Sequence, residues 1–194
     1  MDKPISEGGL RAMFSAPVQE VWLEIGFGAG EHLVWQAEQN PQAGFIGAEP
    51  YVNGVVAAMA AIEERCLQDR VRIHADDVHH LLNLLPPASL SRSFILFPDP
   101  WPKKRHLERR LVSRSLLDEL DRLLRPGSEL RFASDIASYT EATLELLKAH
   151  KAFELNHTFT SPDRHGAPDW PVTRYERKAI ASGRSATFLI ARKI

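Results

Sequence analysis

Five apolar, strand-like runs alternate with five longer stretches of helical pattern, and nothing else in this 194-residue chain limits its fold so sharply. "VWLEI" (21–25) precedes "GEHLVWQAEQ", and "GFIGAE" (44–49) precedes "NGVVAAMAAIEERCLQ". "RVRIHA" (70–75) leads to "VHHLLNLL", "SFILF" (93–97) to "ERRLVSRSLLDELDRLL", and "ELRFAS" (129–134) to "IASYTEATLELLKAH". Consecutive strand–helix units imply a mostly parallel sheet with helices on both faces, joined by right-handed crossovers. Two further strand candidates, "FELNHTFT" (153–160) and "SATFLIAR" (185–192), have no helical pattern between them, so an antiparallel edge is expected. The expectation is therefore an α/β chain with a seven-stranded sheet, whose ligands bind beyond the carboxyl ends of the strands where strand order reverses.

Composition narrows the field. A hydrophobic content of 44% suits one sizeable core, so residues 1–194 are expected to form one domain, with a short segment, 1–20, before the first strand. A net charge of −1 excludes a chain that binds nucleic acid through its overall charge; any basic surface is local. The single cysteine, Cys66, reads as a core thiol and leaves no intramolecular disulfide. The longest apolar run, "VVAAMAAI" (55–62), is too short to span a bilayer, and no signal-like segment opens the chain. The expectation is a soluble cytoplasmic protein without membrane partners; monomer and homodimer both fit the sequence.

Directly after the first strand comes "EIGFGAGEH". Gly26, Gly28 and Gly30 permit a tight turn and close approach of a ligand at a helix N-terminus. A dinucleotide fingerprint wants its third glycine at position 31; Glu31 stands there, and its carboxylate disfavours phosphate. The second strand ends in Glu49, placed to accept ribose hydroxyls, and the third in Asp76 and Asp77, one of which can accept from an adenine amine. Asp77 also suits the N-cap of the next helix. Together these acids describe a nucleoside pocket. His74, His79 and His80 match no metal-ligand spacing, and no metal is expected.

"FPDPWPKKRH" (97–106) follows the fourth strand. Pro98 and Pro100 restrict their own φ and the residue before each, so Asp99 is held stiffly beside the nucleoside pocket. A block of cations follows, Lys103, Lys104, Arg105, Arg109, Arg110 and Arg114, interrupted by one acid, Glu108. It reads as a footprint for a phosphate backbone or, in its later arginines, as a solvated helix face. Trp101 suits stacking on an extruded base as well as packing beneath its own loop.

With "LEIGFGAG", "GAEP", "FPDPWPKKRH", "ASDIASY" and "VTRYERKA" in this order, the chain resembles the bacterial tRNA (guanine-N7)-methyltransferase family over nearly its whole length. The resemblance implies a Rossmann-like class I methyltransferase fold, S-adenosylmethionine as methyl donor, and transfer to N7 of a guanine in the variable loop of tRNA. It implies that Glu24, Gly26, Gly28, Gly30, Glu49, Asp76 and Asp99 contact the donor or the reacting centre, with Asp99 the catalytic group. It assigns Lys103, Asp135, Thr173, Arg174, Tyr175 and Glu176 to the substrate. Read without the family, Asp135 suits a helix N-cap and 173–176 a surface loop. Family members usually carry a longer, often basic segment before the first strand.

The nearest rival is an amino-methyltransferase acting on an exocyclic nitrogen, which places Asp-Pro-Pro-aromatic after the fourth strand; Trp101 stands where the second proline would be. A non-catalytic RNA-binding relative and, with Glu31 against it, a nicotinamide oxidoreductase complete the alternatives.

Overall fold

The computed structural model describes residues 5–101, 104–161 and 169–194. The strands are β1 (Glu20–Ile25), β2 (Ala43–Ala48), β3 (Val71–His74), β4 (Leu90–Leu96), β5 (Leu124–Ser134), β6 (Phe153–Thr160) and β7 (Thr187–Lys193). They form one sheet in the order β3-β2-β1-β4-β5-β7-β6. The first five strands run parallel, and β7 lies antiparallel between β5 and β6. The chain leaves β1 toward β2 and β3, then crosses back to place β4 on the other side of β1. That reversal opens a crevice between the carboxyl ends of β1 and β4.

The helices are α1 (Glu7–Arg11), α2 (Glu31–Gln39), α3 (Val52–Glu64), α4 (Val78–Leu82), α5 (Arg114–Leu123), α6 (Ala137–Ala149) and α7 (Arg174–Ala181), with a 3-10 helix at Lys104–Arg109. Alternation along β1 feeds both faces of the sheet. Val21, Leu23 and Ile25 join the cluster under α1, α4, α5 and α6, while Trp22 joins the cluster under α2 and α3. Strands buried on both sides read as continuous apolar runs, which is why the sequence pattern was strong.

Three features differ from expectation. The helical pattern expected from residue 108 is interrupted: the 3-10 helix ends at Arg109, and α5 begins only after Ser113, whose hydroxyl accepts from Leu116 N at 3.2 Å. A helix, α7, lies between the last two strands; Thr173 caps it, accepting from Glu176 N at 3.4 Å. Cys66 is exposed, not buried. It closes α3 with φ +54°, Cys66 N bonding Glu63 O at 3.0 Å and Leu67 N bonding Ile62 O at 2.9 Å. This is the left-handed Schellman ending of a helix, with cysteine where glycine is usual.

Candidate active site

The loop between β1 and α2 bends through Gly26, Gly28 and Gly30, all with positive φ (+74°, +58° and +79°). At Gly26 an added Cβ would meet nothing within 4 Å, so that face of the loop is open to a ligand. At Gly30 a Cβ would stand 2.8 Å from Ala58 Cβ of α3, so this glycine serves packing. Glu49, beyond β2 and only 8% exposed, ties the loop down: Oε2 accepts from Gly28 N at 2.8 Å and Oε1 from Tyr51 N at 2.9 Å. Each carboxylate oxygen keeps a lone pair for a further donor, which fits a pair of ribose hydroxyls.

Glu24, 4% exposed near the end of β1, points into α2's side of the sheet. Its Oε2 accepts from His32 Nδ1 at 2.7 Å. Gln36 Nε2 lies 3.2 Å from His32 Nε2 and donates to Asp169 O at 2.8 Å, while Gln36 Oε1 accepts from Asn40 Nδ2 at 3.0 Å. That network assigns the imidazole proton to Nδ1 and the lone pair to Nε2. Neither His32 nor Gln36 was foreseen as part of the site. The available signal was two polar residues at i, i+4 on the inner, apolar face of α2.

Asp76 follows β3 and is exposed. The Asp77 N–H at 2.7 Å and His80 Nδ1 at 3.1 Å hold its carboxyl below the usual range. Asp77 is the N-cap of α4, accepting from His79 N at 2.9 Å. Among the described residues, no group of three or more His, Cys, Asp or Glu side chains could hold a metal ion.

Asp99 is exposed in the turn after β4, two residues beyond Phe97, which lines the cavity beside the glycine loop. Phe97 and Trp101, on either side of it, both have positive φ (+51° and +39°). Non-glycine residues in this region carry strain of about 1–3 kcal/mol each, found where surrounding structure enforces it. Here Arg110 enforces it: Nε donates to Pro100 O at 3.2 Å, Nη1 and Nη2 donate to Ser138 O and Oγ at 3.0 and 3.1 Å, and the guanidinium lies 4.6 Å from the Tyr139 ring centroid. Burial pushes the Tyr139 hydroxyl's pKa up, the Val112 N–H and Arg110 oppose the rise, and the charge of Asp99 adds to it. Trp101 sits edge-on to His106 at 5.7 Å with Arg109 5.0 Å from its ring centroid, inside its own basic loop.

Of the expected substrate residues, Lys103 lies outside the described residues. Asp135 is not an N-cap, since Ile136 holds that position on α6; its Oδ2 accepts from Arg184 Nε at 2.8 Å. Thr173, Arg174, Tyr175 and Glu176 occupy the N-cap and first turn of α7, at the spacing of a capping box. This turn comes down on the glycine loop. Tyr175 stacks on Phe97 with ring centroids 6.1 Å apart, and Thr173, Arg174 and Tyr175 line a cavity of about 20 Å³ with Glu24, Gly26 and Phe97.

A seven-stranded sheet with this order, a glycine-rich turn after β1 and acids at successive strand ends define a Rossmann-like methyltransferase. The sequence model of a family described as "Putative methyltransferase" matches residues 18–189. The tRNA (guanine-N(7)-)-methyltransferase of Paramagnetospirillum magneticum is 47% identical over 182 residues, covering 93% of this chain and 75% of that protein. The protein of the same name from Mesorhizobium japonicum is 47% identical over 180 residues, covering 93% and 77%. Among solved structures, an antibiotic-related methyltransferase superposes with a TM-score of 0.65 at 12% identity, covering 100% of this chain and 97% of that one. A SAM-dependent O-methyltransferase from Thermotoga maritima gives 0.60 at 16%, covering 97% and 64%. The chain belongs to the tRNA (guanine-N7)-methyltransferase family.

Proposed function

We propose that this chain methylates N7 of a guanine in the variable loop of tRNA, with S-adenosylmethionine as donor. The observation that carries the reading is the convergence, at one crevice, of the open glycine turn, the Glu49 carboxylate, the Asp99 turn and the first turn of α7. In this reading Glu24, Gly26, Gly28, Gly30, Glu49 and Asp76 hold the donor, whose sulfonium supplies a methyl group activated for attack by a neutral nucleophile. Guanine N7 has an in-plane lone pair and no proton, so the C–N7 bond forms as the S–C bond breaks and no residue need act as base. Positioning then dominates. The Asp99 carboxylate, fixed by its strained turn, orients the purine and stabilises the positive charge that passes onto it. Lys103, Asp135 and Thr173 to Glu176 meet the RNA. No helix among the described residues is long and apolar enough to cross a membrane; a tRNA substrate puts the protein in the cytoplasm.

Incubation with labelled S-adenosylmethionine and unmodified tRNA, followed by nucleoside mass spectrometry and mapping, tests this reading. The expected product is 7-methylguanosine in the variable loop. Label on an exocyclic nitrogen, or none on RNA that the protein nonetheless binds, would replace the proposal with one of its rivals.

A further inference from the structure

The Glu31 carboxylate, besides disfavouring phosphate, lies between two helix N-termini. It is the first residue of α2, after the N-cap Gly30. Arg174 is the first residue of α7, and its N–H, which has no intrahelical acceptor, donates to Glu31 Oε2 at 2.7 Å. Arg177 Nη2 stands 3.5 Å and Arg174 Nε 3.9 Å from the same carboxylate. The positive ends of two helix dipoles and two guanidinium groups thus converge on one acid. These contacts fasten α7 to α2 beside the glycine loop.

The consequence falls on Tyr175. Its ring covers the loop, stacked on Phe97, and its hydroxyl lies where a Cβ on Gly28 would be 2.8 Å away. Gly28, at φ +58°, leaves room for this hydroxyl that a Cβ would take. The void that remains, about 20 Å³, has room for about one water. Ligand pockets ordinarily measure about 300–1,000 Å³. A sulfonium amino acid cannot lie against Gly28 while the ring stays there.

We propose that Glu31 is a positioning residue: it latches Tyr175 across the glycine loop, so that admission of the methyl donor requires the first turn of α7 to lift. The inference rests on the reading of this loop as the donor site. Because the lifted turn is also the expected RNA-contacting segment, the latch links donor entry to the state of the substrate side. The donor's apparent affinity is lowered by the fraction of molecules that are latched, and weakening the latch restores it.

Calorimetric binding of S-adenosylhomocysteine in the absence of tRNA tests the latch on the wild-type chain, Glu31→Ala, Glu31→Gln, Tyr175→Ala and Tyr175→Phe. Glu31→Ala and Tyr175→Ala are each expected to tighten binding by about three- to tenfold, since the contacts released are partly exposed ones. Glu31→Gln, which keeps an acceptor for the Arg174 N–H but loses the charge, falls between. Tyr175→Phe keeps the covering ring and retains wild-type affinity. The double variant Glu31→Ala, Tyr175→Ala binds no more tightly than the better single variant, because both act on one element. With tRNA, Glu31→Ala lowers KM for S-adenosylmethionine and also lowers kcat, a split that general destabilisation does not produce. Folded Glu31→Ala and Tyr175→Ala proteins with unchanged or weaker affinity would overturn the latch. A wild-type chain that bound neither S-adenosylmethionine nor S-adenosylhomocysteine would instead remove the donor site itself.

Discussion

At the scale of single residues, stiffness is concentrated around Asp99 and supplied by its neighbours. The side chain is exposed, and among the described residues none donates a hydrogen bond to it. Its placement comes from Pro98 and Pro100, from left-handed Phe97 and Trp101, and from Arg110 gripping Pro100 O. Asp99→Asn keeps the shape and removes the charge. Methyl transfer is therefore expected to fall about 10²–10³-fold, with the melting temperature and donor affinity unchanged. Single-turnover transfer beside calorimetric donor binding checks this, and near-normal transfer would reduce the carboxylate to a turn residue. Cys66 makes the opposite case, a strained residue with no evident task. At φ +54° in a Schellman ending, Cys66→Gly is expected to stabilise the protein by up to about 1 kcal/mol, read from urea unfolding.

Among the elements, the strap from Asp169 to Arg177 decides how the candidate site closes. It is pinned at two points. Glu31 holds its far end, and at its near end Asp169 Oδ2 accepts from Arg131 Nη2 at 2.9 Å and Arg92 Nη1 at 3.3 Å, while Trp170 packs among Phe94, Phe159 and Phe188. Burial pushes the Asp169 carboxyl up, but the hydrogen bond and charge of Arg131, with the charge of Arg92, outweigh it and hold the group below its ordinary value. A carboxyl depressed in this way contributes stability above its unfolded pKa of about 3.9 and loses it as pH falls through the folded value, where the unfolded chain binds more protons. Asp169→Asn is expected to cost about 1 kcal/mol at neutral pH, a modest figure because the side chain is half exposed. The difference from wild type should be constant near neutral pH and shrink as pH falls below about 3.9 toward the depressed folded value; urea unfolding from neutral pH into acid measures it, and a gap that did not shrink would assign the loss to packing. Periodicity could not have located this strap. Arg92, Arg131 and Asp169 lie 77 and 38 residues apart in the chain, and nothing local links a buried arginine on one strand to a carboxylate beyond another. What periodicity carried best was the inner strands β1, β2 and β4, because burial on both faces leaves a nearly unbroken apolar run. It missed α7, whose "TRYERKAI" is half charged and depends on a capping pair and a docked tyrosine for its place.

For the molecule as a whole, the crevice was legible because strand order and the carboxyl-end rule put Glu24, Glu49, Asp76 and Asp99 along one edge before any contact was known. How the crevice is filled was not, since the bond from Glu31 to Arg174 spans 143 positions and looks like nothing in the sequence. The same limit applies to charge. The basic block reads as one patch in the sequence, but the structure divides it by occupation. Arg110 is committed to Pro100 and Ser138, and Arg114 Nε donates to Asp118 Oδ1 at 3.1 Å. Arg105, in the 3-10 helix after the Asp99 turn, is exposed. In a chain of net charge −1, RNA affinity has to come from those few cations that remain uncommitted. Arg105→Ala is accordingly expected to weaken tRNA binding and to reduce the slope of log K against log salt by about one. Arg114→Ala should leave that slope unchanged and alter stability by no more than about 0.5 kcal/mol, the worth of an exposed i, i+4 pair. Salt titrations of filter binding with both variants decide the matter: a wild-type slope for Arg105→Ala would mean that RNA does not meet the protein at Arg105, and the substrate would have to approach the Asp99 turn from another side.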